Sequence, residues 1–280
     1  MFRLSQGQLN LLTTCPRKFQ HTYLEQLATP YSPEQQEKLA WGSRFHLLMQ
    51  QKELGLPIES IVQGDIEMQR CLTAFLDAAP ELFTSSEKND AYGKQSLDTF
   101  RQAEHTRTLN LQNYLITVIY DLLIAEPKQA QIFDWKTYPR PQNHKLLAQN
   151  WQTRLYLYVL AETSNYLPEQ ISMTYWFVQL EGETQPQSLK FAYSDTKHEQ
   201  TRQDLTHLLN KLTDWLQRYN ERGEQFPQVE ISAQDCYYCQ FITRCDRAHQ
   251  IEENPLTKIN AAVPQDWLDN LSIIEEISII

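Results

Sequence analysis

Asp121, Asp134 and Lys136 are the residues of this chain whose types and spacing could do chemistry. Asp121 follows the apolar run Leu115 to Ile119 and Asp134 follows Gln131-Ile132-Phe133, so each acid falls on or at the end of a predicted strand, with one turn between the strands. Pairing of those strands brings the two carboxylates together. Carboxylate oxygens suit Mg²⁺ or Mn²⁺, hard ions that take oxygen ligands. Lys136 lies two residues after Asp134, and the period-2 pleat turns residues i and i+2 to one face. In such a site a metal lowers the pKa of bound water and draws charge from a phosphoryl group, while the ammonium orients the attacking water. Trp135, between them, is expected to turn the other way into the core, with its carbonyl still able to reach the metal.

Taken alone, Asp-x-Lys is more often a surface ion pair on a strand. The neighbours change that reading. A helix follows at once and carries Gln152 and Tyr156 at i and i+4 on one face, and His46 lies on an earlier helix after Gly42. Singly, His46 reads as a satisfied histidine and Tyr156 as a packed aromatic; their joint order around the acids is what chance seldom supplies.

A second constellation is Cys236-x2-Cys239-x5-Cys245, three thiols in a segment too short and turn-rich to need them for packing. Cys15 or Cys71 must complete a tetrathiolate site. Cys15 is the better candidate because Cys15-Pro16-Arg17-Lys18-Phe19 lies at a helix break, whereas Cys71 sits mid-helix beside Leu72 and Phe75 as a buried thiol. Spacing alone leaves an iron–sulfur cluster and a structural zinc site both open.

The elements that must position these residues follow from periodicity and punctuation. A helix is predicted from Ser5, capped through Gln8, to Gln26, interrupted at Cys15-Pro16. Others run from Glu34 to Leu54, stopped by Gly55 and Pro57, and from Asp65 to about Ala79. Thr84 to Lys94 reads as a loop. Leu97 to Leu109, Tyr114 to Ile124 and Gln131 to Trp135 are rich in β-branched and aromatic residues and predict an antiparallel meander. A helix over Asn143 to Thr163, strands at Ile171 to Leu180 and Ser188 to Tyr193, and a helix from Asp195 or Thr196 to about Arg222, stopped by Gly223, complete a mixed α/β pattern with a helical N-terminal part.

Composition bounds the rest. The 280 residues, 41% of them hydrophobic and with only 7 glycines, can bury a sizeable core, and exclude collagen-like, disordered and disulfide-scaffold chains. One main domain with attachments is expected. Met1 to Asn10 lacks a secretory signal, and no stretch approaches about 18 uncharged apolar residues, so a cytoplasmic protein without a membrane span is expected, its cysteines kept reduced. The net charge of -10 argues against broad adhesion to nucleic acid. Arg17, Lys18, Arg140, Lys145, Arg154, Arg244 and Arg247 nevertheless sit beside the motifs and could line a local groove. Tyr237, Tyr238 and Phe241 could stack on bases or cover the cysteines. No helix-turn-helix, zinc-finger or RRM signature supports sequence-specific recognition.

Four motifs in order resemble the PD-(D/E)XK nucleases, and within them the RecB-type branch. Gly42-Ser43-Arg44-Phe45-His46 is similar to its glycine-to-histidine motif, Tyr120-Asp121 to its first acidic motif, Asp134-Trp135-Lys136 to its Asp-x-Lys motif, and Gln152-Thr153-Arg154-Leu155-Tyr156 to its Gln-x-x-x-Tyr motif. Ile119 departs from the small residue usual two positions before the first acid. The resemblance implies an α/β restriction-endonuclease-like core, a mixed central sheet flanked by helices, with an N-terminal helical part and a C-terminal cysteine-cluster segment. It implies that His46, Asp121 and Asp134 bind Mg²⁺ or Mn²⁺, that Lys136 assists catalysis, and that Gln152 and Tyr156 contact nucleic acid or orient the site. One N-terminal cysteine with a compact C-terminal trio resembles the iron–sulfur staple of AddB subunits and CRISPR-adaptation exonucleases, which implies a [4Fe-4S] cluster on Cys15, Cys236, Cys239 and Cys245, with zinc as the rival.

The expectation is therefore a metal-dependent deoxyribonuclease, an exonuclease on DNA ends or single strands. It comprises a nuclease domain over 1–245 closed by the cluster and a tail over 246–280, working with a helicase, repair or CRISPR-type partner. A non-catalytic DNA-binding or assembly subunit that keeps the fold is the competing expectation, and RNA an alternative substrate.

Overall fold

The computed structural model describes residues 2–27, 30–83, 99–179, 185–231, 236–237 and 239–248. The loop expected over Thr84 to Lys94 and nearly all of the tail lie outside the described residues.

Six strands form one mixed sheet: β1 (Phe2–Leu4), β2 (Phe100–Leu111), β3 (Tyr114–Glu126), β4 (Gln129–Lys136), β5 (Ile171–Phe177) and β6 (Gln187–Ala192). The antiparallel meander β2-β3-β4 is present as predicted, and β4 then pairs parallel with β5, which pairs antiparallel with β6. The short β1 was not predicted. It lies parallel to the start of β3, Phe2 to Leu4 facing Tyr114 to Ile116. Pairing of β3 with β4 begins only at Leu122 and Phe133. Between Ile116 and Leu122, neither β1 nor β4 pairs with β3, and Asp121 stands at the end of that gap.

Helices cover both faces. On one side α1 (Gln6–Thr14), α2 (Pro16–Phe19), α7 (His144–Gln149), α8 (Trp151–Glu162) and α9 (Asp195–Arg222) pack Leu9, Phe19, Leu147, Leu155 and Leu209 against Ile116, Ile132 and Met173 of the sheet. On the other, α3 (Pro33–Glu53), α5 (Ile66–Ala78) and α6 (Pro80–Phe83), joined through the short α4 (Glu59–Val62), pack Phe45, Phe75 and Leu82 on Leu122, Phe133, Trp135 and Trp176. The result is a restriction-endonuclease-like α/β sandwich. Among the described residues no helix is long and apolar enough to cross a membrane.

Two predicted helices are broken. The first stops at Cys15, whose extended backbone precedes Pro16, and α2 runs into a π-helical turn over Gln20–Leu24. The helix predicted from Asn143 to Thr163 is split at Asn150, whose backbone is extended at φ -61° and ψ 142°. Its side chain accepts from the Gln152 N–H at 2.8 Å and from Asn10 Nδ2 at 3.0 Å, while Asn10 Oδ1 accepts from the Trp151 N–H at 3.1 Å. An asparagine side chain competes with the helical ladder in this way and makes a good N-cap. Gln152 thereby falls in the first turn of α8.

Candidate active site

Along β3, Tyr114, Ile116, Val118 and Tyr120 face the α8 side, but Leu122 faces α5 and Leu123 returns to the α8 side. The alternation changes phase at Asp121. On β2 the opposing residue is Glu104, since Ala103 pairs with Leu122 and His105 with Tyr120, and Glu104 adopts a left-handed φ of 50°. Asp121 is 8% exposed, and its Oδ2 accepts a 2.6 Å hydrogen bond from the Trp135 N–H. A carboxylate thus takes the place of a backbone acceptor where β4 parts from β3. His46, projecting from α3, brings Nδ1 to 3.3 Å from Asp121 Oδ1.

Asp134 and Lys136 share one face of β4, with Ile132, as the pleat requires, and Trp135 points the other way against Phe75, with ring centroids 5.2 Å apart. Asp134 is fully buried and Lys136 is 2% exposed, with Nζ 2.7 Å from Asp134 Oδ1. The other oxygen, Oδ2, accepts from Gln152 Nε2 at 2.9 Å. The first turn of α8 also turns the positive end of its dipole toward this carboxylate.

Tyr175, the partner of Asp134 across the parallel ladder, lies under the pair. The Lys136 ammonium is 5.3 Å from its ring centroid, and its hydroxyl meets Thr153 Oγ1 at 2.8 Å and lies at a longer distance, 3.4 Å, from Gln152 Oε1. Burial pushes the Tyr175 hydroxyl well above its ordinary pKa, and the Asp134 charge pushes the same way. It therefore stays protonated, and because Thr153 Oγ1 donates to the Leu147 carbonyl at 2.6 Å, the Tyr175 proton goes to Thr153; the Gln152 amide is set with its nitrogen toward Asp134 by the carboxylate, which only accepts.

Of the residues marked by the sequence, His46, Asp121, Asp134, Lys136 and Gln152 converge on the gap between β3 and β4. Tyr156 lies one turn deeper, 2% exposed, its ring 5.3 Å from Tyr120 and its carbonyl accepting from the Tyr120 hydroxyl at 3.0 Å. Glu104 and Tyr175 were missed. Tyr175 gives no local signal, because a parallel strand pairing leaves none in sequence. Glu104 does leave a trace: Tyr120-Asp121-Leu122-Leu123 breaks the strand alternation, which marks the site where its partner strand must bend.

The residues fit a divalent ion. One ligand atom each of His46, Glu104 and Asp121 lie within 4.8 Å of one another, an imidazole nitrogen and two carboxylates contributed by three elements. The carboxylates favour hard divalent ions and the imidazole a first-row transition ion, so the set suits a divalent metal.

Elsewhere, the segment around Arg17 meets the segment that follows α9. The Arg17 N–H donates to the Pro227 carbonyl and Arg17 Nε to the Phe226 carbonyl at 2.7 Å, and the Phe19 and Phe226 rings stack at 6.3 Å. Cys15 caps α2, accepting from the Lys18 N–H at 3.4 Å, and Cys236 Sγ accepts from Arg247 at 3.3 Å. Burial pushes the Cys239 and Cys245 thiols up, and the nearby Cys15 adds to the rise in both. Cys71 is instead buried in the α5 core. Phe241 is buried with its ring 5.0 Å from His21, while Tyr238 lies outside the described residues.

Several basic residues expected to line a groove are engaged within the fold. Arg17 and Arg247 donate to backbone carbonyls, and Arg154 pairs with Asp204 and stacks on Trp151. Arg140 donates to Gln187 Oε1 at 3.1 Å and lies with His144 and Gln179 along a cleft of about 320 Å³ just beyond the end of β4.

Two strand-borne acids and a lysine thus stand at one end of a mixed, helix-flanked sheet, and the family comparison identifies the class of protein. The family model of the PD-(D/E)XK nuclease superfamily matches residues 3–246, and the chain belongs to that superfamily. Among solved structures, a Eubacterium rectale protein named "Putative exonuclease" is similar at 13% identity and a TM-score of 0.46, covering 93% of this chain and 94% of that one. SSO0001 is similar at 12% identity and a TM-score of 0.37, with 87% and 85% covered. No curated protein matches.

Proposed function

We propose that this nuclease cleaves phosphodiester bonds in DNA with Mg²⁺ or Mn²⁺, acting as an exonuclease on ends or single strands, and that it belongs to the RecB-type branch. The observation that carries the reading is the buried Asp134–Lys136 pair with Gln152 on the remaining carboxylate oxygen. Taking both charges out of water is costly, and a fold gains little net stability from it. Its placement at a strand end beside Asp121 is the arrangement of a reaction site.

In this reading His46, Asp121 and Asp134 hold the ion, which supplies Lewis-acid activation of water and of the phosphoryl oxygens when bound. Lys136 holds its ammonium where charge develops on the phosphoryl group and orients the incoming water. Gln152, donating to its second oxygen, keeps the Asp134 carboxylate in one rotamer, and Tyr156 supports β3 from below through Tyr120. Arg140, at the cleft beyond β4, is placed to meet a phosphate of the strand.

Cys15, Cys236, Cys239 and Cys245 fit a [4Fe-4S] cluster: two segments far apart in the chain approach one another there, and two of the sulfurs accept N–H donors. The cluster would close a nuclease domain over 1–245, leaving 246–280 as a tail for a helicase, repair or CRISPR-type partner. Zinc is the rival occupant. Protein purified without oxygen should be brown, with about four irons per chain; colourless, zinc-only protein would remove the cluster.

The functional test is cleavage of end-labelled linear, circular and single-stranded DNA with Mn²⁺. Linear and single-stranded DNA should be degraded and circular duplex spared. Lys136→Met should lower the rate by at least a hundredfold to a thousandfold, on the order expected for one electrostatic group. Wild-type binding of DNA without any cleavage would favour an assembly subunit instead.

A further inference from the structure

Glu104 sits in the middle of β2, where nothing in its local sequence distinguishes it from a solvated strand residue. In the fold it stands directly opposite Asp121, because its neighbours Ala103 and His105 pair with Leu122 and Tyr120. Like charges directly opposite across an antiparallel ladder repel. Here the backbone bends at the same place, Glu104 being one of four non-glycine residues at positive φ among the described residues. Its carboxylate, that of Asp121 and a ring nitrogen of His46 then approach within 4.8 Å of one another. A divalent cation turns two facing carboxylates from a repulsive pair into a neutral site.

We propose that Glu104 is a ligand of the active-site divalent ion, so that α3, β2 and β3 each contribute a donor beside Asp134 of β4. The assignment rests on the metal-dependent reading of the same site. It also gives that site a division of labour. Asp121 is held at its second oxygen by the Trp135 N–H, and Asp134 is held at both oxygens by Lys136 and Gln152. Glu104 brings to the ion a carboxylate from outside the β3–β4 hairpin. Removing it should loosen the ion without disturbing Asp134 and Lys136.

The test is Mn²⁺ binding by the full-length chain, with its cysteine site as purified, followed by paramagnetic resonance and by the Mn²⁺-induced rise in Tm. Glu104→Gln should weaken Mn²⁺ binding by at least about tenfold and shrink the Mn²⁺-induced rise. Without divalent ion the variant should melt at or above the wild-type temperature, because a repulsion has been removed. Glu126→Gln, at a half-buried carboxylate at the turn end of β3 that accepts from Gln129, should bind Mn²⁺ like wild type. Wild-type Mn²⁺ affinity in Glu104→Gln, or a lowered Tm without metal that accounts for the loss, overturns the assignment, as does a wild-type chain that binds no Mn²⁺. The two readings separate cleanly. A wild type that binds Mn²⁺ through Glu104 yet cleaves no DNA keeps the ligand and loses the nuclease reading; a wild type that cleaves, with Glu104→Gln equally active and equally loaded, does the reverse.

Discussion

Asp134 and Lys136 depend on each other for stability as much as for chemistry. Losing one partner of a buried pair leaves the other charge stranded, at a cost of about 3–5 kcal/mol. Asp134→Leu alone should therefore lower the denaturant midpoint sharply, whereas Asp134→Leu combined with Lys136→Met should recover most of the loss and remain inactive; chemical denaturation of the three proteins measures this. Glu25 shows a different balance. Burial pushes its carboxyl up, but hydrogen bonds from His21 at 2.7 Å and Gln20 at 2.5 Å outweigh it and hold the pKa below the ordinary value. A depressed carboxyl contributes stability above its unfolded pKa and loses it as pH falls through the folded one. Glu25→Gln should thus cost about 1 kcal/mol or less at neutral pH, and the difference from wild type should shrink as the pH falls below the ordinary glutamate range and the Glu25 carboxyl protonates, as unfolding curves across that range would reveal.

Among the elements, α3 brings His46 to the site. Gly42 lies in its interior, where glycine costs about 1 kcal/mol relative to alanine. The reason is contact: a Cβ there would meet Thr137 Oγ1 at 2.9 Å, just past the end of β4. His46 lies one turn further along the same helix, so its Nδ1 can reach Asp121 only if the helix stays close. Gly42→Ala should reduce cleavage despite its better helix propensity, and Thr137→Ala in the same chain should restore much of the activity. A rate in Gly42→Ala equal to wild type would show that α3 tolerates the displacement. The motif was legible in sequence, but its purpose was not, because the atom it avoids belongs to another element. The split between α7 and α8 was hidden for a similar reason: Asn150 is held out of the helix by Asn10, from the far end of the chain.

For the molecule as a whole, the decisive feature is that the N-terminal helices and the segment after α9 are joined by packing. Phe226 is 1% exposed, its N–H donates to Gln20 Oε1 at 2.6 Å, and its ring packs on Phe19, Trp215 and Tyr219. Phe226→Ala should cost about 3–5 kcal/mol by cavity formation. If the proposed cluster occupies the cysteines, Cys15→Ser should bleach it and lower the Tm, yet leave a cooperative transition, because the α1–α2 and Phe226 contacts persist. Loss of all cooperative melting in Cys15→Ser would mean that the cysteines alone hold these segments together.

The chain's own sequence determined the classes of chemistry and most of the elements. Strand-end acids, a lysine at i+2 and apolar periods of two and 3.6 are local properties, and local spacing encodes them. Three things were decided only by tertiary structure. The phase change at Asp121 sets Glu104 beside it; the parallel pairing of β4 with β5 puts Tyr175 beneath Asp134; and the contact of Asn10 with Asn150 starts α8 where Gln152 can reach the carboxylate. Each is a meeting of residues far apart in the chain. Such meetings depend on register and packing, which no local spacing records.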